Sequence, residues 1–288
     1  VSSSKGWFGR RRSAPLLLMV VLLALVVTTS LMIGCRKGDD PKVTPNGNGG
    51  QNGGAGQGDG VGLTWLGHAT FLITTPGGIR ILTDPYPGNL GYGNRRFAAD
   101  IVTVSHEHWD HNSVASVDGD PDILRGLNAD GGWASVTATV GDAIVSSIPG
   151  TCHDSSGGAR RGRNALFMIE TGGLRLLHAG DLGETPSAEV LAAIGRVDVL
   201  LIPVGGVFTV DGPTAAEVAR ILGAKIIIPM HYRTQGIADW QISDEKPFLE
   251  GQDGVKRVGQ SQVTVWAADL PSRPEIWVLD PAPAGGGS

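Results

Sequence analysis

Cysteine is nearly missing from this chain: its 288 residues carry two, Cys35 and Cys152. Cys35 closes an apolar run near the N-terminus. Cys152 is therefore left without a partner, and a small fold stapled by disulfides is excluded. Cys152 adjoins His153 and reads either as a small buried side chain or as a soft neighbour of a metal. An excess of positive charge is missing too. The formal net charge is −5, and Lys5, Arg10, Arg11 and Arg12 all fall in the first dozen residues, so the rest of the chain is more acidic than the whole. This balance argues against nucleic acid as a partner. The chain has no Gly-x-Ser-x-Gly elbow and no phosphate-cradling glycine loop. Acyl-enzyme and nucleoside-triphosphate chemistry therefore have no support. No internal repeat is present.

What remains is enough for a sizeable core. Hydrophobic residues make up 41% and mean hydropathy is close to zero, as for a soluble body with one apolar segment attached. That segment is Pro15 to Gly34, uncharged and preceded by the basic cluster. Its ending, Leu31-Met-Ile-Gly-Cys35, is similar to a bacterial lipoprotein signal with Cys35 as the lipidated residue, although Met32 and Ile33 fit that motif imperfectly. The other reading is an uncleaved anchor helix. Both place residues 1–35 at the membrane and the remainder outside the cytoplasm, because positive charge stays inside. Residues 36–60 are Gly, Asn, Gln, Asp and Pro with almost nothing apolar, a flexible tether. A folded domain is expected over 61–281, followed by a disordered tail at 282–288.

Within that domain, β-branched and apolar runs predict strands at Leu63–Leu66, Thr70–Thr74 and Ile79–Thr83, and a buried strand at Asp100–Val104. Residues 86–99 read as a loop over the end of the sheet. Pro121 suggests a short helix over Asp120–Leu127. Two strands are expected within Trp133–Ile148, and a hairpin of Asn164–Ile169 with Leu174–Leu177 turning at Gly172-Gly173. A helix at Ser187–Ile194 leads to a strand at Val197–Pro203. The clearest helix is Pro213–Leu222, with Thr214 and Glu217 as a candidate capping box and Gly223 as its stop, before a buried strand at Lys225–Pro229.

The chemistry concentrates in Ser105–Asn112, SHEHWDHN, which packs His106, His108, Asp110 and His111 directly after a predicted strand. Imidazole nitrogen and carboxylate oxygen are the ligands of zinc and similar divalent metals. The seven histidines of the chain, His68, His106, His108, His111, His153, His178 and His231, all stand in or beside motifs at strand ends. Open α/β sheets place their ligand sites there.

The pieces TWLGHATFLI (64–73), LTDP (82–85), SHEHWDHN (105–112), HAGD (178–181), LIPVGG (201–206) and IPMHY (228–232), with His153 in its loop, carry a family likeness. The chain resembles the metallo-β-lactamase superfamily, in its branch of metal-dependent hydrolases similar to ascorbate-6-phosphate lactonase. It is also similar to N-acylphosphatidylethanolamine phospholipase D. The resemblance implies an α+β fold, an αββα sandwich of two mixed sheets between helices, with two divalent metal ions at one edge. It assigns His106, His108 and His153 to one metal and Asp110, His111 and His231 to the other, with Asp181 bridging and Asp84 orienting ligands from behind. The ions would be Zn²⁺, with Mn²⁺ as the alternative.

Such a pair, about 3.5–4 Å apart, activates a shared hydroxide for attack on a carbonyl or phosphorus, with Asp110 and Asp181 as the catalytic carboxylates. His68 is either a buried structural residue or part of the site lining, and His178 is structural. Arg95, Arg96, Arg160, Arg161 and Arg163 could clamp an anionic substrate or be solvated loop charges; Arg163 is the first candidate. The expected activity is hydrolysis of an ester, lactone or phosphodiester, on a small molecule or a membrane lipid. The alternative is a tethered metal-binding or sensing domain without turnover.

Overall fold

The computed structural model describes residues 60–284. The predicted membrane segment with Cys35, nearly all of the predicted tether and the last residues of the tail lie outside them. The chain opens with β1 (Val61–Gly67), β2 (Thr70–Thr74), β3 (Arg80–Thr83), β4 (Phe97–Ala98), β5 (Ile101–Val104), β6 (Val117–Asp118) and β7 (Asp122–Arg125). A run of longer strands follows: β8 (Thr137–Val140), β9 (Ala143–Cys152), β10 (Arg163–Thr171) and β11 (Leu174–His178). Then α1 (Ala188–Ile194), β12 (Val199–Pro203), α2 (Gly212–Leu222) and β13 (Ile226–Met230) alternate. The chain closes with α3 (Lys246–Leu249), β14 (Val255–Arg257), β15 (Gln262–Val265) and β16 (Glu275–Val278).

Two mixed sheets result, ordered β15-β1-β2-β3-β5-β7 and β14-β16-β13-β12-β11-β10-β9-β8, with β4 and β6 forming a small separate pair. One hydrophobic core joins them: Leu63, Trp65, Phe71 and Ile73 of the first sheet pack in one cluster with Val145, Phe167, Ile169, Leu176 and Leu201 of the second. Alternation along β3 and β5 sends Ile81 and Ile101 into that core. Leu82, Val102 and Val104 face the other way, into a second cluster with Tyr86, Tyr92, Phe97 and Ile237. The predicted loop 86–99 thus buries apolar side chains of its own on the outer face of the first sheet. The result is an α+β sandwich of two mixed sheets with few helices, the architecture that the resemblance implies.

Several local expectations are corrected. Asp120–Leu127 is no helix: Asp122–Arg125 pairs in parallel with Ile101–Val104 as edge strand β7. A single short helical turn has little stability of its own, while the open edge of β5 offers a row of backbone partners. Helix α2 is not capped by Thr214 and Glu217. Asp211 is its N-cap, its carboxylate accepting from the Thr214 amide at 3.0 Å, and Glu217 pairs with Arg220 instead. Gly223 does end the helix, in the left-handed conformation at φ 63°. The predicted tail begins too early. The Ala282 amide donates to Trp65 O at 2.9 Å, and the Arg95 guanidinium donates to the carbonyls of Ala282 and Pro283.

Candidate metal centre

The loops after β3, β5, β9, β11 and β13, and the turn between β1 and β2, converge at one end of the sandwich. They deliver Asp84, then His106 to His111, then His153, Asp181, His231 and His68. Backbone geometry marks the place. Four non-glycine residues with positive φ occur among the described residues: His68 (53°), Asp84 (39°), Val207 (59°) and His231 (50°). Three of these belong to this cluster. Such strain persists where surrounding structure imposes it, and it collects at functional sites. The His68 carbonyl is clamped by the Trp65 indole at 3.0 Å and by the His231 amide at 3.1 Å.

Potential ligand atoms fall into three groups, of which Asp84 with His106 and His111 lies behind the other two and shares a histidine with each. One of those two consists of His106, His108, His153 and Asp181; the other of His68, Asp110, His111 and His231. Asp181 links them with its two oxygens. Oδ1 lies 3.3 Å from His111 Nε2 and 3.3 Å from His231 Nε2. Oδ2 lies 3.7 Å from His153 Nδ1 and 3.9 Å from His106 Nε2. The turn that presents Asp181 is fixed by Asn164, whose side-chain oxygen accepts from the Asp181 amide at 2.9 Å. Gly183 permits the close approach to the neighbouring loop, since a Cβ there would sit 1.9 Å from the His153 backbone.

Asp84 sits behind the ligands, fully buried. It accepts from the Ser105 amide at 2.8 Å and the Ser105 hydroxyl at 2.5 Å, and from His111 Nδ1 at 3.1 Å. The Ser105 hydroxyl proton is thereby committed to Asp84, so its oxygen accepts from His106 Nδ1 at 2.8 Å. Both imidazoles are therefore held with Nε2 unprotonated and aimed into the cluster.

Burial lowers the imidazole pKa values: His106, His111 and His231 fall well below the ordinary range, and His153 falls to about 2. The histidines are neutral, as ligands must be. Asp181 is pushed well above its usual range by burial and by the nearby Asp110 and Asp84 carboxylates. Burial also raises Asp110, but the His68 hydrogen bond and the surrounding imidazoles outweigh it and hold that carboxyl low.

These residues fit divalent metal. His106 Nε2, both nitrogens of His153 and His231, and Asp181 Oδ1 are buried without a hydrogen-bond partner. Buried polar atoms left so cost about 1–3 kcal/mol each. In each neutral imidazole one of these nitrogens carries the lone pair that zinc takes, as the Asp181 oxygen does, and a cation among them would satisfy several together.

His68 enters the cluster, its Nε2 3.2 Å from Asp110 Oδ2 and 3.1 Å from His111 Nε2. His178 stays outside it, bonded through Nε2 to Ala69 O at 2.8 Å. The arginine expectation is corrected. Arg163 donates to Gly131 O and stacks on Trp133, away from the cavity above the ligands, which Arg161 lines instead. Arg95 and Arg96 are spent on Tyr92, Ala282, Pro283, Ala115 and Asp118. Ser105 and Asn164 contribute although sequence reasoning does not single them out. Ser105 stands inside the histidine motif, but nothing in Asn164 itself reveals which amide it meets. Cys152 is a buried free thiol, its pKa raised by burial.

A Beta-lactamase superfamily domain model matches residues 62–231. A UPF0173 metal-dependent hydrolase of Methanoregula boonei is 32% identical over 187 residues, 60% of this chain and 82% of its own length. Its counterpart from Carboxydothermus hydrogenoformans is 34% identical over 197 residues, 60% of this chain and 84% of its own. Among solved structures, a Thermotoga maritima protein of the metallo-β-lactamase superfamily superposes with a TM-score of 0.60. It shares 29% identity, and the match covers 76% of this chain and 98% of that one. Fold, ligand clusters and relatives agree: the chain belongs to the metallo-β-lactamase superfamily and is a metal-dependent hydrolase.

Proposed function

We propose that the chain cleaves an ester, lactone or phosphodiester outside the cytoplasm, using two divalent ions, Zn²⁺ or alternatively Mn²⁺. His106, His108 and His153 would hold one ion and Asp110, His111 and His231 the other, with Asp181 shared. The observation that carries this reading is the division of Asp181, one oxygen toward each set at 3.3–3.9 Å. Bound ions supply Lewis acidity and lower the pKa of water.

The chain's own groups do the rest. Asp84 and Ser105 keep His111 and His106 in the ligating tautomer. His68 holds Asp110 Oδ2, which leaves Asp110 Oδ1 free to accept a hydrogen bond from the attacking water and orient it. Trp109, Phe208 and Trp240 wall the cavity on the substrate side and limit the water that reaches it. The basic cluster, apolar run and Cys35 support attachment to the outer side of a membrane.

The test uses the full chain in detergent, assayed on bis-p-nitrophenyl phosphate, a lactone panel and nitrocefin beside Asp110→Asn. Turnover of an ester, lactone or phosphodiester that falls by about a hundredfold or more in the variant supports the reading. Metal retention with no turnover of any class would favour a tethered binding domain.

A further inference from the structure

A cavity of about 600 Å³ opens above the metal ligands, with His108, Asp110, His153 and Asp181 at its floor. Its remaining lining is mostly aromatic: Trp109, Phe208 and Trp240, with Arg161 and Gln241. Trp109 is 55% and Phe208 38% exposed, large apolar surfaces left open beside a polar floor. The Phe208 and Trp240 rings meet edge to face at 5.9 Å. Trp240 in turn stands edge-on to His68 at 5.4 Å and to His231 at 6.4 Å. The aromatic wall therefore runs without a break from the mouth to the ligands.

That wall is preformed. The Arg161 guanidinium lies 4.7 Å above the Phe208 ring and donates to the Val207 carbonyl. Val207 is β-branched yet held at φ 59°, a strained conformation that persists only when neighbours impose it. Arg161 is thus partly spent on shaping the wall, and the side walls offer one amide besides. A sugar phosphate or other polyol would find on the three rings only the indole N–H groups of Trp109 and Trp240 as donors and no acceptor for its hydroxyls, so most of its polar groups would be buried unpaired, which is costly. A flat apolar group gains contact with all three rings. The volume suits one small molecule.

We infer that the cavity selects carboxylic esters or lactones whose acyl side carries a flat apolar ring, held by Trp109, Phe208 and Trp240. The inference rests on the hydrolase reading above. In the reaction, water adds to the carbonyl carbon and the carbon–oxygen single bond breaks. The proton lost by the water ends on the departing oxygen, giving an acid and an alcohol.

The test is calorimetric titration of the metal-loaded full chain with 2-naphthoate, acetate and glucose 6-phosphate, followed by hydrolysis of methyl 2-naphthoate against methyl acetate. Naphthoate is expected to bind about a hundredfold more tightly than acetate, and more tightly than glucose 6-phosphate. Phe208→Ala and Trp240→Ala are each expected to weaken naphthoate about tenfold at unchanged metal content. Equal affinity for naphthoate and acetate, preference for glucose 6-phosphate, or wild-type naphthoate binding in both variants would overturn the assignment. Selective naphthoate binding without hydrolysis of methyl 2-naphthoate would support the aromatic occupant and count against the hydrolase reading.

Discussion

His68 Nε2 meets Asp110 Oδ2 at 3.2 Å in a setting where the histidine has no exposed surface. The pair joins a strained turn after β1 to the metal-binding loop after β5, and it is the largest of the contacts that offset burial at the Asp110 carboxylate. His68→Ala would leave that carboxylate without its donor. Partners that orient metal ligands typically contribute 10–100-fold in metal affinity, so a loss of about tenfold or more is expected for the more weakly held ion. Chelator-competition titration measures it, and His68→Gln, which keeps an N–H donor, should recover part of the loss. Unchanged metal affinity in His68→Ala would show that the contact positions nothing.

Asp84 acts on two ligands together, directly on His111 and through Ser105 on His106. Asp84→Asn puts an amide where an acceptor is required. Metal content after dialysis is expected to fall, with affinity reduced by about 10–100-fold, and the loss should exceed that of Ser105→Ala, which breaks the His106 branch alone. Equal metal content in Asp84→Asn and wild type would contradict the relay.

The buried imidazoles make the metal-free domain sensitive to acid. His106, His111, His153 and His231 have folded pKa values depressed below the ordinary one. The unfolded chain therefore binds protons, near pH 6.5, that the folded one refuses. Their contribution is fully present above that pH and is lost as pH falls. Asp84 and Asp181 have raised values and act in the opposite sense, stabilising at low pH and less so as pH rises. His178 is depressed as well, so the imidazoles outnumber these carboxylates and a net fall in stability is expected as pH drops below about 6.5. Urea unfolding in chelator at pH 7.5 and 5.5 should show a clearly lower midpoint at 5.5. An unchanged or higher midpoint would contradict the neutral-histidine assignment.

Gly183 is where the turn after β11 touches the His153 loop. A Cβ at this position would lie 1.9 Å from backbone atoms of His153. No side-chain rotation relieves Gly183→Ala, and one loop must move. A loss of about 3 kcal/mol or more is expected, together with weakened metal binding at the His153 set. Wild-type values for both, from thermal unfolding and metal titration, would show that the loops have slack.

Much of this is legible in the amino-acid sequence. The strands announce themselves because β-branched runs such as Ile101–Val104 and Ile226–Met230 are buried on both faces, and helix α2 does so through Pro213 in its first turn and the Gly223 stop. The histidine motif carries its chemistry in its spacing. Other features depend on partners distant in the chain. Asp122–Arg125 is a strand because β5 has an open edge, which four residues cannot disclose. Asp211 displaces Thr214 as the cap through a local choice between neighbouring polar residues. Arg161 and Arg163 stand two positions apart, but Arg161 lies in the loop before β10 and Arg163 is the first residue of that strand, so the path of the loop decides which reaches the cavity. Phe208 and Trp240 meet only after the segments following β12 and β13 have folded together, so the aromatic wall leaves no pattern along the chain.

The central claim is that Asp181 serves two metal positions, and counting metals tests it most directly. Elemental analysis of the full chain beside Asp181→Asn is expected to give about two ions per wild-type chain and fewer than one in the variant. One ion per wild-type chain, or a count that Asp181→Asn leaves unchanged, would contradict it.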